Sequence, residues 1–348
     1  MPVRLQYVLK PKEKSNVTCS KERDISQWNR LSEMPPRMRP YILRQKQIQI
    51  NTCLEENNIP NNTCSEEKNI TDYNCSEENN IPSDNFLEGR YVFMNRMGGL
   101  GNQLFQYAAA KSIAYHHPNT QIYMDVERYN CHNHLGYDYA SIFMKDAIIR
   151  HDIKCRNEFN ETFSFAPWHP KNFTIPIKLF GYFQYLPAIQ SILDMVVKEY
   201  EEGLKPFCTF SFDPHKTVFI HVRRGDYVEI LGESNLLSKS YYEKAFEQWR
   251  QHYKGTDFHV FIVSDDHEWC RNQEWTFPYT LYESQDEIQT LALMSQCKAG
   301  AIIANSTFSF WGAMISQSPL VFYPKRWTGE DYCHRLCPSH WYGLDNHS

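Results

Sequence analysis

Apolar runs of four to six residues, each closed by a polar or glycine-rich cluster, recur along the chain from Tyr91 onward. The run Tyr91-Val92-Phe93-Met94 and residues 121–124 predict strands, with a glycine-rich turn at 98–103 and a helix over 104–115 between them. Ile189, Ile192, Leu193, Val196 and Val197 share one face of a helix that begins near Pro187. Beyond residue 205 the alternation is regular: strands at 217–222, 258–263, 301–304 and 320–323 are separated by helices near 241–253, 286–297 and 308–317. Two of those helices open on the capping-box patterns Ser240-x-x-Glu243 and Ser284-x-x-Glu287. The first carries Tyr242, Ala245, Phe246, Trp249 and Tyr253 along one stripe. Between about 125 and 180 no period stands out. Apolar strands alternating with amphipathic helices predict an α/β fold whose parallel sheet is covered on both faces. Such sheets bind ligands at the carboxyl ends of their strands.

The first 88 residues are different. "NTCLEENNIP", "NTCSEEKNIT" and "YNCSEENNIP" repeat every eleven residues and place Cys53, Cys64 and Cys75 in register. One isoleucine per repeat, interrupted by Pro60 and Pro82, gives no continuous apolar seam, so a disordered stem is expected there. Metal binding by these cysteines is the weaker alternative, since no Cys-x-x-Cys or histidine accompanies them.

Composition narrows the function. The formal charge is −5 and the pI about 6.3, which provides no global field for nucleic acid or an anionic membrane; an anion site must be local. No run reaches the ~18 apolar residues of a membrane span, and "MPVRLQYVLK" is too short and polar for a signal peptide. Eleven cysteines accompany sequons at Asn16, Asn61, Asn69, Asn74, Asn160, Asn172, Asn305 and Asn346, and this combination suits an oxidising lumen. Any membrane association would then depend on an anchor not visible in this sequence. The pairing of the cysteines is not legible.

The local anion site has a candidate. "HVRRGDY" (221–227) puts two arginines at the end of an apolar strand. A buried arginine keeps its charge and needs an anionic partner. Asp226 can neutralise one guanidinium, leaving Arg223 or Arg224 for phosphate oxygens; an Arg–Asp bridge that merely fixes the turn is the alternative. Two further strand ends are polar: "SDDHEWC" (264–270) and "NSTFSFWGA" (305–313), whose Asn305, Ser306 and Thr307 sit where a helix begins, a place suited to phosphate or ribose. Asp265 and Asp266 could hold a divalent cation. A hydrogen bond to a nucleoside, or a helix cap, suits Asp265 better, because an arginine-neutralised diphosphate needs no cation. The turn "GGLGNQ" is neither G-x-G-x-x-G nor a P-loop, which argues against NAD and ATP. Its Gly98, Gly99 and Gly101 would let backbone approach a ligand, with Asn102 and Gln103 as side-chain donors.

Together, "GGLGNQLFQYA" (98–108), "GYFQ" (181–184), "HVRRGDY" (221–227), "SDDHEWC" (264–270), "MSQCKAGAIIANSTFSFWGA" (294–313) and "PKRW" (324–327) resemble the inverting α-1,2-fucosyltransferases, which include the galactoside 2-α-L-fucosyltransferases. The resemblance implies two Rossmann-like domains of GT-B type, at 89–205 on the acceptor side and 206–348 on the donor side, behind the stem at 1–88. It implies transfer of L-fucose from GDP-fucose to the 2-hydroxyl of a terminal β-galactose, with no metal or other cofactor, in the Golgi lumen. On this resemblance His221, Arg223, Arg224 and Asp226 form the donor motif, with an arginine on the β-phosphate. Gly99, Gly101, Asn102, Gln103, Asn305, Ser306, Thr307 and Ser309 contact the donor, and Asp265 its nucleoside part. Asp226, Glu229 and Glu233 are candidates for the base. One position departs from the family pattern: an acidic residue often stands five before the serine of "MSQC", where this chain has Thr290, with Asp286 and Glu287 one turn earlier. That departure admits a second reading, a non-catalytic protein that binds GDP or a glycan.

Overall fold

A computed structural model describes residues 88–125, 137–151, 153–161, 165–231, 236–327 and 333–346. The repeat region and the stem expected at 1–88 lie, apart from Glu88, outside these residues. Five parallel strands form a first sheet: β1 (Tyr91–Met94), β2 (Gln121–Asp125), β3 (Ala147–Arg150), β4 (Glu158–Asn160) and β5 (Ile177–Phe180), in the order β3-β2-β1-β5-β4. Six more parallel strands form a second: β6 (Thr217–Val222), β7 (His259–Ser264), β8 (Thr280–Tyr282), β9 (Gly300–Ile302), β10 (Val321–Pro324) and β11 (Tyr342–Leu344), ordered β11-β10-β9-β6-β7-β8. The second order is that of a doubly wound nucleotide-binding sheet, whose crevice opens where the strand order reverses. Here the reversal falls between β6 and β9; in the first sheet it falls between β1 and β5.

The predicted strands are present, and their residues explain why. All six residues of β6 are buried, as a strand covered on both faces requires. The helices Lys239–His252, Glu287–Gln296 and Thr307–Ser316 lie within two residues of their expected bounds. Tyr242, Ala245, Phe246 and Trp249 are buried as the stripe demanded. Neither expected capping box forms. The Lys239 helix starts after Ser238, which makes no side-chain cap bond. The Glu287 helix is capped by Asp286, whose carboxylate accepts from the Ile288 and Gln289 amides, while Ser284 accepts from the Asp286 amide instead. An aspartate at the N-cap satisfies two orphan donors at once, and the serine two residues earlier is left to shape the turn.

The helix after β1 also begins earlier than its apolar period suggests. It runs Leu100–His116, with Gly99 as N-cap, so Gly101, Asn102 and Gln103 lie in its first turn rather than in a loop. This helix packs against the Thr307–Ser316 helix of the other sheet. Phe105 meets Phe310 and Trp311 at 4.9 and 4.8 Å between ring centroids, the Trp311 indole donates to the Gly101 carbonyl at 3.1 Å, and Tyr200 donates to the Leu104 carbonyl at 2.7 Å. One apolar core is therefore continuous from Val92 and Leu104 through Phe219, Ile303 and Trp311.

Gly101 makes this contact possible. A Cβ there would lie 2.5 Å from backbone atoms of both Thr307 and Phe308, closer than packed atoms approach. Gly101→Ala is expected to lower stability by about 1–3 kcal/mol through overpacking, measured as a shift of the denaturant midpoint with unchanged slope. An unaltered midpoint would mean that the two helices part freely. Among the described residues no helix is long and apolar enough to cross a membrane, and Cys155, Cys208, Cys270 and Cys297 are free thiols.

Candidate active site

The end of β6 separates the two arginines of "HVRRGDY". Arg224 turns inward and is 6% exposed. Its Nε donates to Asp266 at 3.2 Å, its guanidinium lies 4.4 Å from the centroid of the Trp269 ring, and its backbone amide donates to Asp265 at 2.9 Å. This is the bridging role that the sequence left open for either residue, and it suits Arg224. Arg223 points the other way and remains 28% exposed. Its Nη2 donates to Asp226 at 2.5 Å, its Nη1 pairs with Asp265 at 2.6 Å, and its guanidinium rests 4.9 Å from the centroid of the Tyr227 ring. The Tyr227 hydroxyl reaches the Asn305 carbonyl at 3.4 Å, linking β6 to the turn after β9. Arg223 is thus held in place at the strand-order reversal yet stays reachable from solvent.

His221, the next-to-last residue of the same strand, is 4% exposed, and its Nδ1 is buried with no hydrogen-bond partner. Burial pushes its pKa down to about 4, opposed by Asp265 and assisted by Arg223; the imidazole is neutral at pH 7. Its ring faces Phe308 at 5.7 Å. A buried unpaired acceptor or donor calls for an explanation, and a ligand group in the crevice would provide one.

The segment after β9 is turned inward more than its sequence suggested. The Asn305 amide donates to the Trp327 carbonyl at 2.7 Å, so the sequon at Asn305 is buried in the fold, whereas Asn160 and Asn172 are exposed. Ser309 is fully buried and its hydroxyl bonds back to the Ala304 and Ser306 carbonyls. Ser306 is the N-cap of the Thr307 helix without a side-chain cap bond. The side chains of Asn305 and Ser309 are therefore engaged within the fold, at the N-terminus of the Thr307 helix.

The glycine-rich turn behaves likewise. Asn102 Oδ1 accepts from Thr307 Oγ1 and from Gln184 Nε2, both at 2.9 Å. The Gln103 amide donates back to the Gly98 carbonyl at 3.1 Å and the side chain is buried. Gly99 alone of this group faces open space. Asn102 and Gln103 therefore tie protein to protein, and the two helix N-termini at Leu100 and Thr307 converge at the carboxyl ends of β1 and β9. Both carry the positive end of a helix dipole, which reinforces Arg223 as the focus for an anion.

Residues 156–323 match the family model described as glycosyl transferase family 11. Over these residues the chain is similar to that family. Across a longer span it is 29% identical to the O-antigen biosynthesis glycosyltransferase WbnK of Escherichia coli, over 71% of this chain and 98% of that protein. It is 24% identical to an alpha-1,2-colitosyltransferase of Escherichia coli, covering 71% and 97%, and 26% identical to the mouse galactoside alpha-(1,2)-fucosyltransferase 2, covering 68% and 71%. Among solved structures, the NodZ alpha-1,6-fucosyltransferase co-crystallized with GDP is similar with a TM-score of 0.43 and 13% identity, over 67% of this chain and 94% of that one.

Within this glycosyltransferase family match lie "GYFQ", "HVRRGDY", "SDDHEWC" and most of the 294–327 segments. The candidate bases divide: Asp226 is engaged by Arg223, Glu229 is exposed on the short Tyr227–Leu231 helix, and Glu233 lies outside the described residues. Asp265 and Asp266 each face an arginine, and Asp266, not Asp265, caps the following helix. Thr290 is buried. The two carboxylates that could replace an acidic residue there are already bonded, Asp286 to Tyr137 at 2.8 Å and Glu287 to Tyr139. Sequence reasoning missed Tyr227 and Trp269, the aromatic supports of the arginines. An aromatic residue three or four positions from each arginine or its aspartate partner was the available signal.

Proposed function

We propose that the protein transfers L-fucose from GDP-fucose to the 2-hydroxyl of a terminal β-galactoside, with inversion at the sugar carbon and without a metal. The observation that carries this reading is Arg223, fixed at the reversal of strand order beside two converging helix N-termini. In the reaction the bond from the sugar carbon to the β-phosphate oxygen breaks and its electron pair goes to the diphosphate. The galactose oxygen takes that carbon and yields its proton to a carboxylate. The largest demand is stabilisation of charge growing on the leaving diphosphate. Arg223 supplies it, with the helix N-termini as fixed dipoles and His221 and Asp265 placed around the donor; Arg224 contributes by holding Asp265 and Asp266. Asp226 is our choice of base, released when the diphosphate draws Arg223 away. The six-stranded half, 206–348, takes the donor, and the half at 89–205 takes the acceptor, as two Rossmann-like domains of GT-B type. The name of the mouse relative supports the sugar and the linkage, and that of the colitosyltransferase supports the linkage. The exposed sequons at Asn160 and Asn172 support a secretory location such as the Golgi lumen.

Incubation with GDP-fucose and a panel of β-galactosides, followed by linkage analysis, tests the reading; a 2-linked α-fucoside is expected. EDTA is expected to leave turnover unchanged, and a loss that Mg²⁺ restores would overturn the metal-free mechanism. Because Thr290 stands where an acidic residue is expected, and Asp286 and Glu287 each already accept from a tyrosine, a second reading is a protein that binds GDP without transfer. Calorimetric GDP binding with no labelled product from any galactoside would establish it.

A further inference from the structure

Glu161 immediately follows β4 at the carboxyl edge of the first sheet, apart from the arginine site. Its backbone amide donates to the Phe180 carbonyl at 2.7 Å, extending the β4–β5 ladder by one residue. Its carboxylate then folds beneath "GYFQ": Oε2 accepts the Tyr182 and Phe183 amides at 2.7 and 2.9 Å. Gly181 leaves the room for this. It has φ +149°, and a Cβ there would lie 2.4 Å from the Glu161 Cβ and 2.6 Å from Oε2. Phe183 has φ +54° although it is not glycine, a conformation that persists only where surroundings hold it. Its amide bond to Glu161 and its fully buried ring, 5.7 Å from that of Trp168, do so.

The next residue, Gln184, is buried and donates to Asn102 Oδ1, which also accepts from Thr307. We propose that Glu161 is a positioning residue: by fixing the 181–184 turn it aims Gln184 at Asn102 and so sets how the Leu100 and Thr307 helix N-termini meet beside Arg223. This rests on the reading of the site as a sugar-transfer centre. The carboxylate acts through its two accepted hydrogen bonds and not through its charge. Consistent with this, burial outweighs those two N–H donors and pushes its pKa up to about 7.

Three variants test the idea in the full chain. Glu161→Gln keeps an oxygen that can accept both amides. Glu161→Ala keeps none, and Glu161→Asp, one methylene shorter, serves if the alanine variant does not fold. Hydrogen exchange is read at 181–184 and at 100–103, and fucose transfer at saturating donor and acceptor. The glutamine variant is expected to retain the protection and transfer of the unaltered protein to within a few-fold. The alanine or aspartate variant is expected to lose protection in both segments and to lose about 10²-fold in kcat, the usual consequence of small misplacement of reacting groups, with acceptor KM changed less. Protection retained in the alanine variant, or in the aspartate variant where alanine does not fold, overturns the proposal. So does a glutamine variant that keeps protection but loses transfer, because that result assigns the carboxylate a chemical role. If the unaltered protein transfers no sugar, the functional reading fails, and the exchange pattern alone decides the role of Glu161.

Discussion

Arg223→Ala is expected to lower turnover with GDP-fucose by a factor on the order of 10², the cost of removing one preorganised partner for charge on a leaving group. The loss should fall on kcat rather than on folding. Asp226 and Asp265, the carboxylates left behind, are 27% and 25% exposed, and Asp265 still accepts from the Arg224 amide, so the stability change should stay at about 1 kcal/mol, the size of a partly exposed ion pair. Arg224→Ala should do the reverse, because its partner Asp266 and the Trp269 face lose a buried guanidinium: a clear drop in the denaturant midpoint, with the remaining folded fraction still active. Initial rates and equilibrium unfolding on both variants separate the two roles. Full activity in Arg223→Ala, or a catalytic loss confined to Arg224→Ala, would reverse the assignment of which arginine meets the diphosphate.

Glu161 should also reveal itself in the pH dependence of stability. Its folded pKa is raised from 4.5 to about 7, so the folded chain holds a proton that the unfolded chain has already released across that window. The associated stability is complete below about pH 4.5 and is lost as pH rises through about 7, which amounts to about 3 kcal/mol at about 1.4 kcal/mol per pH unit. His221 works in the opposite sense. Its folded pKa is lowered from 6.5 to about 4, so its contribution is present above 6.5 and is lost as pH falls through about 4. Between about pH 4.5 and 6.5 the two slopes oppose each other, so neither shows in full in the unaltered protein. Glu161→Gln is expected to unmask the histidine: its stability should rise with pH across this interval, and its advantage over the parent should grow by about 3 kcal/mol between pH 4.5 and 8. Parallel urea-unfolding curves at several pH values check this. A constant difference between the two proteins would mean that Glu161 titrates normally.

The sequence disclosed what is written locally and concealed what depends on distant pairing. β6 and β7 were legible because their residues are apolar without interruption, as parallel central strands must be. β4 and β11 were not: each is three residues long, all of β4 is exposed, and a short edge strand has no apolar period to display. The Leu100 helix is longer than its apolar period shows because glycine and asparagine look like loop residues. They are in its first turn, where Gly101 admits the neighbouring helix and Asn102 bonds to it. The motif "HVRRGDY" announced an anion site but could not say which arginine faces it; that choice was made by Asp266 and Trp269, some forty residues later. Glu161 was invisible for the same reason, since the amides it accepts belong to residues 182 and 183, and nothing adjacent to it marks a buried carboxylate.

One oxygen of Asn102 serves two donors that arrive from opposite halves of the molecule. Removing either the Thr307 hydroxyl or the Gln184 amide leaves that oxygen still occupied, whereas removing both strands it. One loss therefore leaves the oxygen satisfied but the alignment of the two helices incomplete, and natural variation at positions 184 and 307 should be constrained jointly.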